Sequence, residues 1–162
     1  MTIPAARPER GPEGYAFPTS DEHLLSWEEA ERRLADARFY WLATSNPNGT
    51  PHVRPVWGVW VAGCLYFDGH PHTRWAHNLA REPRASVHLE SAANVLIVEG
   101  VGEDLERTDE ELGRRIAANW ENKYGRLVPD PAARGIFRLT AQRARGWSEN
   151  LQDGTVWTLV TA

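Results

Sequence analysis

The chain has 162 residues, a formal net charge of −4 and a single cysteine, with 41% hydrophobic and 25% charged residues. That length allows one domain with a sizeable core, and an acidic balance without a dense basic cluster gives no electrostatic footprint for nucleic acid. A lone Cys64 excludes an intrachain disulfide, and no apolar run approaches the ~20 residues of a membrane helix, so a cytoplasmic protein with no membrane partner is the expectation.

Residues 1–23 carry Pro4, Pro8, Pro12 and Pro18 with Gly11 and Gly14. They hold no apolar core of signal-peptide length, so they read as an irregular N-terminal arm ahead of a single domain over 24–162. Ser26 and Glu29 form a capping box, and Trp27, Ala30, Leu34 and Ala37 recur at helical spacing, which predicts a helix over roughly 26–37. "FYWLAT" (39–44) reads as a strand closed by the turn "NPNG".

"GTPHVRPVWGVW" follows at 49–60. Its odd positions, Pro51, Val53, Pro55, Trp57, Val59 and Val61, are apolar, while the even ones begin Thr50, His52, Arg54. Period two predicts one strand to residue 61, its odd face in the core and its even face open to something polar. Pro55 removes a ladder donor there, leaving main chain free to meet a ligand. "AG" (62–63) turns into a partner strand, "CLYFD" (64–68). "TRWAHNLAR" (73–81) reads as a short helix ended at Glu82-Pro83, "RASVHLE" (84–90) as an alternating strand, and "NVLIVEGVGEDLE" (94–106) as a strand buried on both faces at first. Thr108 and Glu111 predict the cap of another helix with Leu112, Ile116, Trp120 and Tyr124 along one face. "GIFRLTA" (135–141) and "TVWTLV" (155–160) are two further strands. About six short strands joined mostly by hairpins, with two or three helices and no GxGxxG, point to a mainly β, α+β antiparallel barrel with helices packed on it.

Three constellations are candidates for chemistry. The first turn of the 73–81 helix offers free N–H groups, the Thr73 hydroxyl and the Arg74 guanidinium, which together suit an anion such as a phosphate, and Arg54 supplies a second cation. A capped helix with solvated arginines is the alternative. His70, His72 and His77 with Asp68 and His88 have no Cys partner and no HExxH, so metal ligation is disfavoured. No GxSxG marks Ser45, Ser86 or Ser148 as a nucleophile. Trp57, Trp60, Trp120 and Trp147 are candidates to line a pocket for an apolar or aromatic substrate, or simply to fill a core.

Assembled in this order, "FYWLATSNPNGTPHVRPVWGVW", "LYFDGHPHTRWAHNLAREPRASVHLE", "VLIVEG" and "ARGWSEN" resemble the pyridoxamine 5'-phosphate oxidase-like split β-barrel flavoproteins over about residues 27–150. The resemblance implies a six-stranded antiparallel Greek-key split barrel and a homodimer with FMN, or the deazaflavin coenzyme F-420, at its interface. It implies cofactor contacts from His52, Arg54, Pro55, Val56, Trp57, Phe67, Asp68, Thr73, Arg74 and Trp75, and from Asn94, Val95, Trp147 and Glu149 of the partner copy. Trp75 stands where family members commonly carry Lys, which removes one phosphate cation and leaves room for F-420. "LQDGTVWTLV" lacks the Arg–x–His cluster of true pyridoxamine phosphate oxidases, which argues against that activity. Of 18 Lys and Arg residues only Lys123 is lysine, a bias fitting a GC-rich bacterial host in which F-420 is plausible. The implied activity is hydride transfer to a small molecule. A flavin- or haem-binding barrel without catalysis is the alternative, since related barrels bind or degrade haem.

Overall fold

The computed structural model describes residues 3–130, 135–149 and 151–159. The elements in chain order are β1 (Ala5–Pro8), α1 (Trp27–Asp36), β2 (Tyr40–Ser45), β3 (Pro51–Val56), β4 (Gly58–Val61), β5 (Cys64–Asp68), α2 (Arg74–Arg81), β6 (Arg84–His88), β7 (Asn94–Leu105), α3 (Glu110–Tyr124), β8 (Ile136–Ser148) and β9 (Thr155–Thr158).

Antiparallel ladders run β3 to β2, β2 to β6, β6 to β7, β7 to β8, β8 to β5 and β5 to β4. Because β4 follows β3 across Trp57, the two act as one bent strand and the ring of ladders closes: a six-stranded split barrel. The expected single strand through residue 61 is thus broken at Trp57, where the chain leaves β2 to pair with β5. Ala62 (φ 52) and Gly63 (φ 79) make the tight β4–β5 hairpin, both left-handed as a primed turn requires.

Helices close the barrel because each buries one stripe. Ser26 Oγ accepts from Glu29 N at 3.1 Å, and Trp27, Ala30 and Leu34 of α1 join the main core with Trp75, Ala76 and Leu79 of α2. α3 packs Ile116, Trp120 and Tyr124 on Val59, Val61, Tyr66 and Ile136, a second core outside the β4–β5–β8 wall. Its cap is Asp109, not Thr108: Asp109 Oδ1 accepts from Leu112 N at 2.8 Å. A carboxylate at that position also complements the positive end of the helix dipole.

Three further expectations change. The arm is not wholly irregular, for Ala5–Pro8 pairs with β9 from Ala5↔Thr158 to Pro8↔Thr155. Pro8 is tolerated there because β1 is an edge strand. β8 runs on to Ser148, seven residues beyond the predicted end, since its second half has β9 and β7 to pair with. Residue 160 of the last predicted strand lies outside the described residues. β7 alternates rather than burying both faces: Leu96, Val98, Gly100 and Gly102 are buried, while Val95, Ile97, Glu99 and Val101 are half-buried.

The faces of β3 are reversed from the expectation. Pro51, Val53 and Pro55 are exposed, Val53 at 44%. Register puts His52 opposite Thr44 and Arg54 opposite Leu42, on the core side. The apolar odd face instead continues outward through Trp41, Ala43, Ile97, Val95 and Trp147.

Candidate functional site

α2 is short and strongly anchored. Thr73 caps it, its Oγ1 accepting from Ala76 N at 3.3 Å. Trp75 is 7% exposed and set against Phe137 and Phe67, with ring centroids 4.6 and 5.4 Å away. A Cβ on Gly69 would lie 2.4 Å from the Trp75 ring, so this loop must be glycine for the indole to seat. Trp75 is therefore part of the barrel floor and not a replacement for a phosphate cation. Phe67 and Val56 are likewise core, at 1% and 5% exposure, so a ligand meets at most their main chain.

With the indole turned inward, Arg74 is left exposed at the start of the helix. His52 feels both Arg54 and Arg74: desolvation first, then these two guanidiniums, holds its imidazole below the ordinary value of 6.5. No carboxylate forms an ion pair with Arg54 or Arg74 among the described residues, whereas Arg32, Arg84, Arg138 and Arg145 each have one. Two polar atoms at this corner are buried without a partner, His52 Nε2 and Asn78 Oδ1. Asn78, 1% exposed, donates to Thr44 Oγ1 (3.1 Å) and Asn46 Oδ1 (3.2 Å). Two unpaired cations, a helix N-terminus and an orphan carbonyl oxygen make a corner suited to a ligand with an anionic group and hydroxyl donors. A phosphate-tailed, polyhydroxylated cofactor has both.

Asn78 was not among the residues singled out in the sequence. Its signal was present, an amide on the same helix face as Trp75 and Leu79, where a polar residue in an apolar stripe is the informative exception.

The second predicted group gathers elsewhere. Asn94 pairs with Ser148 and Val95 with Trp147 at the far end of β7–β8. A cavity of about 420 Å³ is lined there by Asn94, Ser148 and Glu149, and another of about 340 Å³, reaching Arg33, Arg38 and Phe39, shares Asn94. This end lies three strands from β3, and Val95 and Trp147 face the opposite side of the sheet from His52 and Arg54. Asp68 is exposed at the end of β5, its carboxyl pushed up by desolvation. Trp57 stacks on Tyr124 (4.7 Å, 14°), with the Arg126 guanidinium 5.4 Å from its ring. Trp60 and Trp120, at 6% and 1% exposure, are core. Among the described residues no group of three or more His, Cys, Asp or Glu is arranged to hold a metal ion, although the His70 and His72 rings lie 5.0 Å apart.

The His52 environment sets a pH dependence. A folded-state value below the unfolded one means the unfolded chain takes up the proton first, so the anion-free protein loses stability as pH falls below about 6.5. An anion at Arg54 and Arg74 offsets that charge. We expect inorganic phosphate at pH 5.5–6 to raise the melting temperature of the wild type more than that of His52→Gln, at equal ionic strength. Equal shifts in the two proteins would disprove the coupling.

The fold is that of a six-stranded split barrel, and beside its edge strand stand two guanidiniums that form no ion pair among the described residues. The chain belongs to the pyridoxamine 5'-phosphate oxidase family, whose model matches residues 26–148. Among solved structures it is similar to the conserved hypothetical protein Rv2991 from Mycobacterium tuberculosis, at 25% identity over 83% of this chain and 91% of that one, with a TM-score of 0.67. A heme binding protein from Mycobacterium smegmatis aligns at 23% identity over 81% of this chain and 57% of that one (TM-score 0.66). An F-420 reductase aligns at 23% over 83% and 98% (TM-score 0.55). These last two likenesses bear on fold alone. No curated protein matches the chain, and no helix among the described residues is long and apolar enough to cross a membrane.

Proposed function

We propose that this protein is a flavin- or deazaflavin-dependent oxidoreductase, binding FMN or coenzyme F-420 between two copies of the chain and passing hydride to a small apolar or aromatic substrate. The observation that carries the reading is the corner of His52, Arg54, Thr73 and Arg74, two guanidiniums without a carboxylate beside an orphan amide oxygen. When bound, the cofactor ring supplies the hydride chemistry. The chain's part is to grip the phosphate with Arg54 and Arg74, to receive ribityl-type hydroxyls at Asn78, and to set the ring along the Pro55–Trp57 main chain. No side chain here is assigned as acid or base. The missing Arg–x–His cluster speaks against vitamin B6 oxidation.

The homodimer rests on the outward sheet face. Trp41, Ala43, Val53, Val95, Ile97 and Trp147 lie on it, interspersed with Ser86, His88, Glu99 and Arg143, and Arg145 Nε on the same face is buried without a partner. Only a second copy lets one ligand meet both Arg54 and the Asn94–Val95 and Trp147–Glu149 ends. We expect Ile97→Asp to sediment as a monomer and to lose cofactor affinity together with dimerisation. A monomeric wild type would end this arrangement.

Titration of the purified protein with FMN and with F-420, followed by each cofactor's fluorescence, tests the cofactor. Micromolar binding of one names the chemistry to screen. Binding without turnover of any reductant makes it a carrier or sensor, and a Soret band with haem in place of flavin binding overturns the reading.

A further inference from the structure

The barrel's ladders are interrupted at the crossover from β3 to β4, because Trp57 belongs to neither. Gly58, the first residue of β4, has β5 on one side and no strand on the other. α3 fills the gap with side chains. Gly58 N donates to Tyr124 Oη at 2.9 Å, and Gly58 O lies 3.0 Å from that hydroxyl and 3.2 Å from Lys123 Nζ. Lys123 Nζ also donates to Ala37 O (2.9 Å) and Tyr40 Oη (3.1 Å). Three ammonium protons thus meet three acceptors, and the Tyr40 hydroxyl passes the chain on to Leu34 O at 2.5 Å. Tyr124 meanwhile carries the Trp57 indole stacked on its ring. A Cβ at Gly58 would stand 2.7 Å from Tyr66 O, so the crossover can sit this close to β5 only as glycine.

We propose that Lys123 and Tyr124 are positioning residues: from the last turn of α3 they hold the Trp57–Gly58 crossover, and through it the strand that meets the cofactor, so that cofactor affinity follows the charge on Lys123. This rests on the cofactor reading above. Lys123 is the chain's only lysine, and its role is specific to an ammonium: a neutral amine has two protons for three acceptors and drops one contact.

Desolvation lowers Lys123 to about 8, opposed by Asp36 of α1. The other titratable or charged groups facing the cluster are Tyr40 of β2, Tyr124 itself, Arg38 ahead of β2 and Asp68 of β5. Both phenols are pushed up by burial, which leaves Lys123 as the group that titrates near pH 8.

The test has two arms, both between pH 6.5 and 9.5. The cofactor-free arm takes the wild-type minus Trp57→Phe fluorescence difference, which isolates the one indole stacked on Tyr124. The loaded arm measures the dissociation constant of FMN or F-420. In the wild type we expect the Trp57 signal to change with a midpoint near pH 8, and the dissociation constant to rise about three- to tenfold across it, the size of one lost hydrogen bond. Lys123→Arg, which keeps a cation throughout, should bind with both pH profiles flat. Lys123→Met should bind weakly and without pH dependence, and if it fails to fold the arginine variant decides. A Trp57 signal that does not titrate, or a pH profile that survives in Lys123→Arg, overturns the proposal. A Trp57 signal that titrates in a protein binding neither cofactor overturns the cofactor reading instead and removes the link to affinity.

Discussion

Arg74→Ala is expected to weaken binding of the phosphate-bearing cofactor by roughly ten- to a hundredfold, the value of one charge-assisted hydrogen bond at 1.5–3 kcal/mol. The size follows from what surrounds the guanidinium. It stands exposed at the start of α2 with no carboxylate to pair with among the described residues, so the folded chain spends nothing to free it for a ligand. Arg84 is the contrasting case: 81% exposed and held 2.7 Å from Glu82, it is already neutralised, and Arg84→Ala should leave binding unchanged. Riboflavin, which lacks the phosphate, isolates the cause. Its weaker affinity should be the same for wild type and Arg74→Ala, and an equal loss for both flavins would mean that the substitution disturbed the fold and not the anion contact. Arg54→Ala should act in the same direction, and the double variant should lose less than the sum, because both guanidiniums share one anion and one His52.

Much of this corner was legible in the residues, and what was not has physical causes. Period two in "GTPHVRPVW" correctly marked a strand with two chemically different faces, and "TRWAHNLAR" marked a capped helix. Which face of β3 meets the core could not be read, because the pattern carries no sign. An apolar face is equally the mark of a core and of a surface left for a second copy, and Val53 at 44% exposure lies outside the core. Trp75 looked like an altered phosphate ligand because it follows Thr73–Arg74, yet a helix turns 100° per residue and carries the third position inward. The clamp of Lys123 and Tyr124 on Gly58 was invisible for another reason: its partners are main-chain groups some 65 residues away. Side-chain types announce helix faces and anion sites, but not which unpaired carbonyl they will serve.

Gly100→Ala is the substitution expected to cost the fold most. The ladder between β7 and β8 slips at Glu99/Gly100, and this bulge lets two strands of 12 and 13 residues curve around the barrel. At the slip a Cβ on Gly100 would lie 2.1 Å from Thr140 O, 2.9 Å from Thr140 C and 3.2 Å from Ala141 Cα. All three are main-chain atoms of β8, so no rotamer change relieves the overlap and the strands themselves must part. Overpacking of that kind costs about 3 kcal/mol, which in a domain of this size lowers the melting temperature by roughly 6–12 °C. Gly49→Ala is the control: its φ of +82° costs about 1 kcal/mol of backbone strain, but nothing lies within 4 Å of the added methyl group. The bulge also joins the half of β7–β8 that pairs with β5 to the half that presents Val95 and Trp147. Gly100→Ala should therefore weaken dimerisation at temperatures where the barrel is still folded, whereas Gly49→Ala should not. A Gly100→Ala protein melting within 2 °C of wild type would show that the strands separate there at little cost, and that the curvature of the barrel is set elsewhere.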